Sequence, residues 1–351
     1  PELAPGTTYT CTIQPEGGNP SESVSFVAGE PQAPRGTVAH ERTMLTILAE
    51  KRSIPAGFPL TAGVPFPRGA LGSTEHLRLL APDGSEMPLQ VKPLVRWPDH
   101  SMKAVLLDTM APSTPGPLTL EYGTGVSRGT IGPVVHVAED AGVITVATPS
   151  LKMRFDKQRS GLFTHVWVGD QLMTRDDRPA RVVVVDDAGK EFDTLGVANG
   201  VVVEESGPLR AVVRLDGHHT NGEAEFFTYQ IRFTFCAGLP GVRMSYRWGN
   251  DVSANEMTRF RGIRLTLPLS LAEDAEVALG GDEPMSGRLA DGPRLEQLHD
   301  DRYSVTPRTL GVPGRRTTGW VAASDGRQRV ALLPRWFWQL YPKAVQAGPE
   351  G

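Results

Sequence analysis

From residue 225 to 236 the chain alternates without a break. Phe227, Tyr229, Ile231, Phe233 and Phe235 stand against Phe226, Thr228, Gln230, Arg232 and Thr234. Successive side chains of a strand point to opposite faces, so this period of two predicts a strand half in a core and half in water. Strands of the same kind are expected over 143–147, 151–156, 181–185, 197–205, 209–217, 242–248 and 260–268. Earlier ones fall at 43–50, 77–81, 87–97, 102–109 and 118–122, with turns at Pro82-Asp83-Gly84 and Pro98-Asp99-His100-Ser101 between them. A short stretch, 336–345, is the one helical candidate. The pattern predicts an all-β chain: an antiparallel barrel or sandwich, then a second β-domain built on a large antiparallel sheet.

Composition agrees. The 38 glycines and 30 prolines are spread along the whole chain, as many short strands and tight turns require. At 351 residues there is room for two or three domains. A net charge of −4 with acidic and basic residues interspersed offers nucleic acid no electrostatic footprint. No apolar run reaches the length of a membrane span. Cys11 and Cys236 are compatible with one disulfide, although two thiols in different domains fit the sequence better. Neither a cofactor nor a metal site is suggested by any motif: G-x-S-x-G, H-E-x-x-H and Walker-type loops are missing.

Residues 1–30 open with Leu3, Pro5, Gly6, Thr7 and Tyr9, which resemble the L-x-P-G-T-x-Y pattern of fibronectin type III modules and its tyrosine corner. They are expected to be the last strands of such a module. After a Pro/Gly linker at 31–37, a first β-domain is expected over 38–133 and a second over 134–345. Because the chain starts at Pro1, inside a motif, it is read as a fragment of a longer protein.

Several motifs then occur in one order. They begin with Gly63-Val64-Pro65-Phe66-Pro67-Arg68-Gly69-Ala70-Leu71, Gln90 and Arg96-Trp97-Pro98-Asp99-His100-Ser101-Met102-Lys103. Gly217-His218, Tyr229 to Arg232, Ala237-Gly238 and Val242-Arg243 follow, then Gln297, Tyr303, Gly319-Trp320-Val321 and Phe337-Trp338-Gln339 with Tyr341-Pro342-Lys343. Together they resemble the PcRGLX/YetA-like family of exo-rhamnogalacturonan lyase-like proteins. That resemblance implies a RIFT barrel over 38–133, a central β-sandwich over 134–345 and a C-terminal α/α toroid that this chain lacks. It also implies a secreted or periplasmic protein acting on a polysaccharide or oligosaccharide, with no activity expected from this chain without the toroid. One departure is His100, where the family has Gly in a turn that suits positive φ.

A uronate lyase works by β-elimination. A base takes the proton next to the carboxyl group, a cation steadies that carboxylate, and an acid protonates the leaving oxygen. The candidates for this work are His218 and His219, beside the Asn221-Gly222 turn, and Arg259 and Arg261, two apart and so on one face of a strand. Trp336, Trp338, Gln339, Tyr341 and Lys343 are candidates for substrate binding. Each has a plainer role: His218 as a turn cap, the arginines in surface ion pairs, the aromatics sealing a junction. Trp97 is expected in the core, Asp99 as the turn's cap and Lys103 in solvent. A non-catalytic glycan-binding or scaffold protein, and a glycoside hydrolase, are the competing readings. The adjacent acids Asp186-Asp187 and Glu204-Glu205 point to opposite faces, so neither couplet forms a hydrolase pair.

Overall fold

The computed structural model of the chain describes residues 6–11, 23–27, 38–48, 54–132, 134–159, 161–196, 200–251 and 257–348. Strands make up almost all of the regular structure, and the helical elements among these residues are two single 3₁₀ turns, Leu289–Asp291 and Arg308–Leu310. The chain divides into two compact units.

The first unit runs to residue 134 and adds 207–210 and 236–239. One sheet orders Glu41–Leu45, Leu118–Tyr122, Leu77–Leu80 and Glu86–Met87; the other orders Pro59–Pro65, Met102–Met110 and Gln90–Arg96. Alternation sends Leu77, Leu79, Leu118, Leu120, Val105 and Leu107 into one core with Phe66, Leu71 and Met102. On the other side of the first sheet the carboxylate of Glu121 is buried between its cross-strand partners Arg42 and Arg78, at 2.9 and 2.6 Å. Burial alone would raise this carboxyl's pKa, but the Arg78 bond and the charges of Arg78, Arg42 and His40 outweigh it and hold it low.

Two of the sequence motifs form a single lock here. Gly69 N–H donates to Ser101 Oγ at 2.9 Å, Arg68 Nε to Asp99 Oδ2 at 3.1 Å, Trp97 Nε1 to the Phe66 carbonyl at 3.0 Å, and Met102 N–H to the Leu71 carbonyl at 2.7 Å. Asp99 caps the turn as expected, accepting from Ser101 N–H and Oγ; the Oγ bond is the main cause of its lowered pKa. Trp97 is half-buried rather than in the core, and exposed Lys103 holds its ammonium 4.6 Å from the indole centroid. His100 takes φ 62°, the conformation for which a glycine is the natural choice. Further along the unit, the Gln90 amide oxygen accepts from Leu209 N–H and Arg210 N–H, both at 2.9 Å. Gly238, at φ 77°, lies so close to the Gly57 carbonyl that a Cβ would come within 1.9 Å of its oxygen.

The expected fibronectin-like strands are a two-stranded hairpin, Thr8–Cys11 with Val24–Val27, in which Tyr9 stacks on Phe26 at 6.0 Å. Val24, Phe26 and Val27 are exposed. Leu3 and Pro5 of the motif and the side chain of Cys11 lie outside the described residues.

The second unit contains a five-stranded sheet in the order His136–Asp140, Val143–Ala147, Leu151–Asp156, His165–Val168, Gln171–Leu172. Its larger sheet runs Val242–Gly249, Glu225–Cys236, Arg210–Thr220, Glu191–Asp193, Arg181–Asp186, Phe260–Thr266, with Gly200–Ser206 also paired to Arg210–Thr220. The apolar faces of the two sheets meet: Phe155 touches Phe233 at 5.3 Å and Phe235 at 6.3 Å, and Phe163 touches Phe233 at 5.9 Å. Phe155, Phe233 and Phe235 are buried, and each contributes about 1.5–3 kcal/mol of hydrophobic stabilisation.

Residues 276–346 add a four-stranded and a three-stranded sheet around a core of Val277, Leu279, Leu295, Val305, Phe337 and Val345. Here 336–345 is not a helix. Residues 335–340 are turns joined by one Leu340 N–H to Trp336 carbonyl bond, and Lys343–Gln346 is a strand paired with Arg294–His299. Trp336 sits at φ 53° and Pro342 has no N–H to give, so a helical ladder cannot run through the segment.

Candidate functional site

The hairpin Arg210–Thr220/Glu225–Cys236 turns at Asn221-Gly222, where Asn221 Oδ1 accepts from the N–H groups of Glu223 and Ala224. Alternation then sorts its two histidines. His219 goes inward and is fully buried. Its Nδ1–H donates to the Phe227 carbonyl at 2.7 Å and its Nε2 accepts from the Tyr246 hydroxyl at 3.1 Å. Burial pushes its pKa down, and with both nitrogens engaged the ring serves the core rather than a substrate.

His218 points to the opposite, polar face. Its Nε2–H donates to Asp251 Oδ2 at 3.0 Å, Asp251 Oδ1 accepts from Thr228 N–H at 3.2 Å, and Glu225 Oε2 lies 3.7 Å from Nδ1. The ring therefore has a carboxylate that orients it, itself anchored to the neighbouring strand. His218 lines an open groove of about 440 Å³ with Asp216, Thr228, Gln230, Arg247 and Trp248. Gln230 and Arg247 are direct cross-strand partners, and Arg247 has no hydrogen-bond or ion-pair partner among the described residues. On the core face beneath the groove Gly217 makes room for buried Tyr229, since a Cβ there would meet the Tyr229 hydroxyl at 2.5 Å.

Beside the groove five side chains close a ring of hydrogen bonds. Glu204 accepts from Arg232 Nε and Nη2 at 2.5 and 2.8 Å and from Arg214 Nη1 at 3.2 Å. Arg232 also donates to the Gln230 carbonyl oxygen, Gln230 Nε2 donates to Asp216 Oδ1 at 2.9 Å, and Arg214 Nε donates to Asp216 Oδ2 at 2.8 Å. The Arg232 bond leads the causes that bring the Glu204 carboxyl down to about 2. Glu204 is thus held ionised, and the ring of bonds fixes both acids as a rigid polar wall.

The other candidates lie elsewhere. Arg261 donates twice to the Asp187 carbonyl, at 3.1 and 2.9 Å, and Arg259 precedes the same strand with an exposed side chain. That strand, Phe260–Thr266, is three places along the sheet from the strand of His218, so the arginine pair does not face the groove. Trp336, Trp338, Gln339, Tyr341 and Lys343 belong to the C-terminal sheets. Arg335 lies over exposed Trp336 at 4.3 Å, Arg316 over half-buried Trp338 at 4.4 Å, and Tyr341 meets His299 edge-on at 6.1 Å. Exposed Gln339 follows them, and Lys343 Nζ donates to the carbonyls of Arg335 and Trp336, tying the turn; burial lowers its pKa. Sequence reasoning missed Asp216, Gln230, Arg247, Trp248 and Asp251 as groove or orienting residues. The alternation of Arg243, Ser245 and Arg247 against Met244, Tyr246 and Trp248 was the signal for one of them.

Fold and groove together define an all-β protein with a barrel unit and a sandwich whose polar sheet face carries an oriented histidine. The N-terminal RIFT barrel domain of PcRGLX-like proteins matches residues 34–105, and their central β-sandwich domain matches residues 135–282. The chain belongs to the PcRGLX-like family. The uncharacterized protein YetA of Bacillus subtilis (strain 168) is 26% identical over 352 residues, covering 82% of this chain. The chain spans about two fifths of YetA's length, 40%.

Proposed function

We propose that this chain is part of an enzyme that cleaves a uronate-containing polysaccharide by β-elimination, in the manner of the rhamnogalacturonan lyase-like proteins it resembles, and that it is inactive alone. The observation that carries the reading is the His218–Asp251 pair beside Arg247. His218, oriented by Asp251, is the proton-abstracting base, and Arg247 meets the carboxylate on whose α-carbon the negative charge develops. The β C–O bond then breaks, its oxygen taking a proton from water in the open groove. Gln230, the cross-strand partner of Arg247, flanks the sugar. A hydrolase would need one carboxyl held protonated opposite a second acid. Glu204 and Asp216 are instead committed to arginines, which favours elimination over hydrolysis in this groove.

The test uses the protein at the full length of its relative, incubated with rhamnogalacturonan and other uronate polymers while ultraviolet absorbance of the unsaturated product is followed. Absorbance should rise, and His218→Ala and Arg247→Ala should each slow it by about 10²-fold or more. A flat trace with reducing sugar released points to hydrolysis. Binding without either product points to a non-catalytic glycan-binding protein. Either result overturns the proposal.

A further inference from the structure

The five-stranded sheet carries a second, unassigned surface. Its inner face is core: Ile144, Val146, Met153 and Phe155 are buried. The outer face bears Lys152 opposite Trp167 and Arg154 opposite His165, as direct cross-strand partners. Small residues lie beside them, Thr145 opposite Arg154 and Ala138 opposite Thr145. Long side chains next to short ones leave a depression of about 410 Å³, lined by Lys152, Arg154, Trp167, Thr145 and Ala138, with Asp140 also lining it.

Three observations point to a ligand. The Lys152 ammonium stands 4.4 Å from the Trp167 ring centroid, and neither Lys152 nor Arg154 has a carboxylate partner among the described residues. His165 stacks on Trp167 at 5.2 Å, interplanar angle 17°, which stiffens the indole. Its Nδ1 is buried without a hydrogen-bond partner among the described residues, and its Nε2 lies 3.6 Å from Asp176. Two cations on alternate positions of one strand stand about 7 Å apart on a flat face. An indole offers sugar C–H groups a platform, a guanidinium fork matches a carboxylate, and Asp140 accepts from hydroxyls.

We propose that this face is a binding platform for an acidic, uronate-containing oligosaccharide, separate from the His218 groove and independent of what that groove does. The geometry fits a chain lying along the sheet, its carboxylates on Lys152 and Arg154. The cation–π contact holds the ammonium over the ring until the carboxylate takes it.

The experiment is calorimetric titration of this chain with a galacturonate tetramer, a neutral galactose tetramer and a short glutamate peptide. The galacturonate tetramer should bind, more weakly as salt is raised, and the neutral tetramer at least about tenfold less tightly. Lys152→Ala/Arg154→Ala, at exposed positions, should lower uronate affinity about tenfold or more and flatten the salt dependence without shifting the melting temperature. Trp167→Ala should weaken it too, whereas His218→Ala/Arg247→Ala should leave this binding in place. The proposal fails if the uronate tetramer does not bind, if the charge variant binds it like the parent, or if only the groove variant loses it. Equal affinity for the glutamate peptide overturns the glycan assignment in favour of an acidic protein partner.

Discussion

Replacing Glu204 by Gln keeps its size and removes its charge from the ring beside the groove. The carboxylate takes a two-pronged bond from Arg232 and a third bond from Arg214. These move its pKa from 4.5 to about 2, against the opposing effect of burial. At about 1.4 kcal/mol per tenfold change, that displacement sets a ceiling of about 3.4 kcal/mol on its contribution at neutral pH. The side chain is 27% exposed, so water screens the pairs and about 1.5–3 kcal/mol is the expected loss in Glu204→Gln. Because the folded carboxyl titrates below the unfolded one, the contribution is complete above pH 4.5 and fades as pH falls towards about 2. Urea unfolding of parent and variant at pH 7 and pH 3 checks this. The gap between them should shrink to less than half at about pH 3. A gap equally wide at both pH values, or none at pH 7, would refute the argument that charge in this ring stabilises the sheet.

Two further substitutions test geometry. Gly217→Ala places a methyl 2.5 Å from the Tyr229 hydroxyl and 2.6 Å from its Cζ. It should cost about 1–3 kcal/mol in denaturant unfolding, with partial recovery in Gly217→Ala/Tyr229→Leu. His100→Gly relieves a side chain held at φ 62° and should stabilise the protein by up to about 1 kcal/mol, read as a higher melting temperature, while His100→Ala should show no such gain.

Much of the β-structure was legible because half-buried strands announce themselves. Leu118–Tyr122, Val143–Ala147, Leu151–Asp156 and Glu225–Cys236 begin and end where alternation of the sequence does. The expected strand 87–97 is broken at Pro88 into Glu86–Met87 and Gln90–Arg96, since proline gives no ladder bond. The C-terminal sheets were not legible. Strands such as Val321–Ser324 and Lys343–Gln346 have four residues each, too few for their alternation to stand out from turn-rich sequence. In the site, one histidine facing out and its neighbour facing in follow from period two alone. Arg247 enters the groove because register sets it opposite Gln230, and Asp251 because the chain brings it to His218, both matters of pairing that local sequence does not encode. Arg261 looked equally apt, but the nearby Asp187 carbonyl claims its guanidinium. The motifs that carry the family resemblance divide in the same way: Arg68, Asp99 and Ser101 hold a turn, while His218 lines a groove.

The Gln90 clamp bears on the order in which the protein is made. Its amide oxygen waits for N–H donors 119 and 120 residues further along, and the Gly57 turn waits for Gly238. During synthesis the first unit therefore emerges with its strands complete but part of its closure still inside the ribosome, and cannot finish folding until residue 239 is free. The same holds for shuffling modules between relatives. A barrel moved as one contiguous piece would arrive without 207–210 and 236–239, so the natural unit of exchange is a set of three segments rather than a stretch of chain.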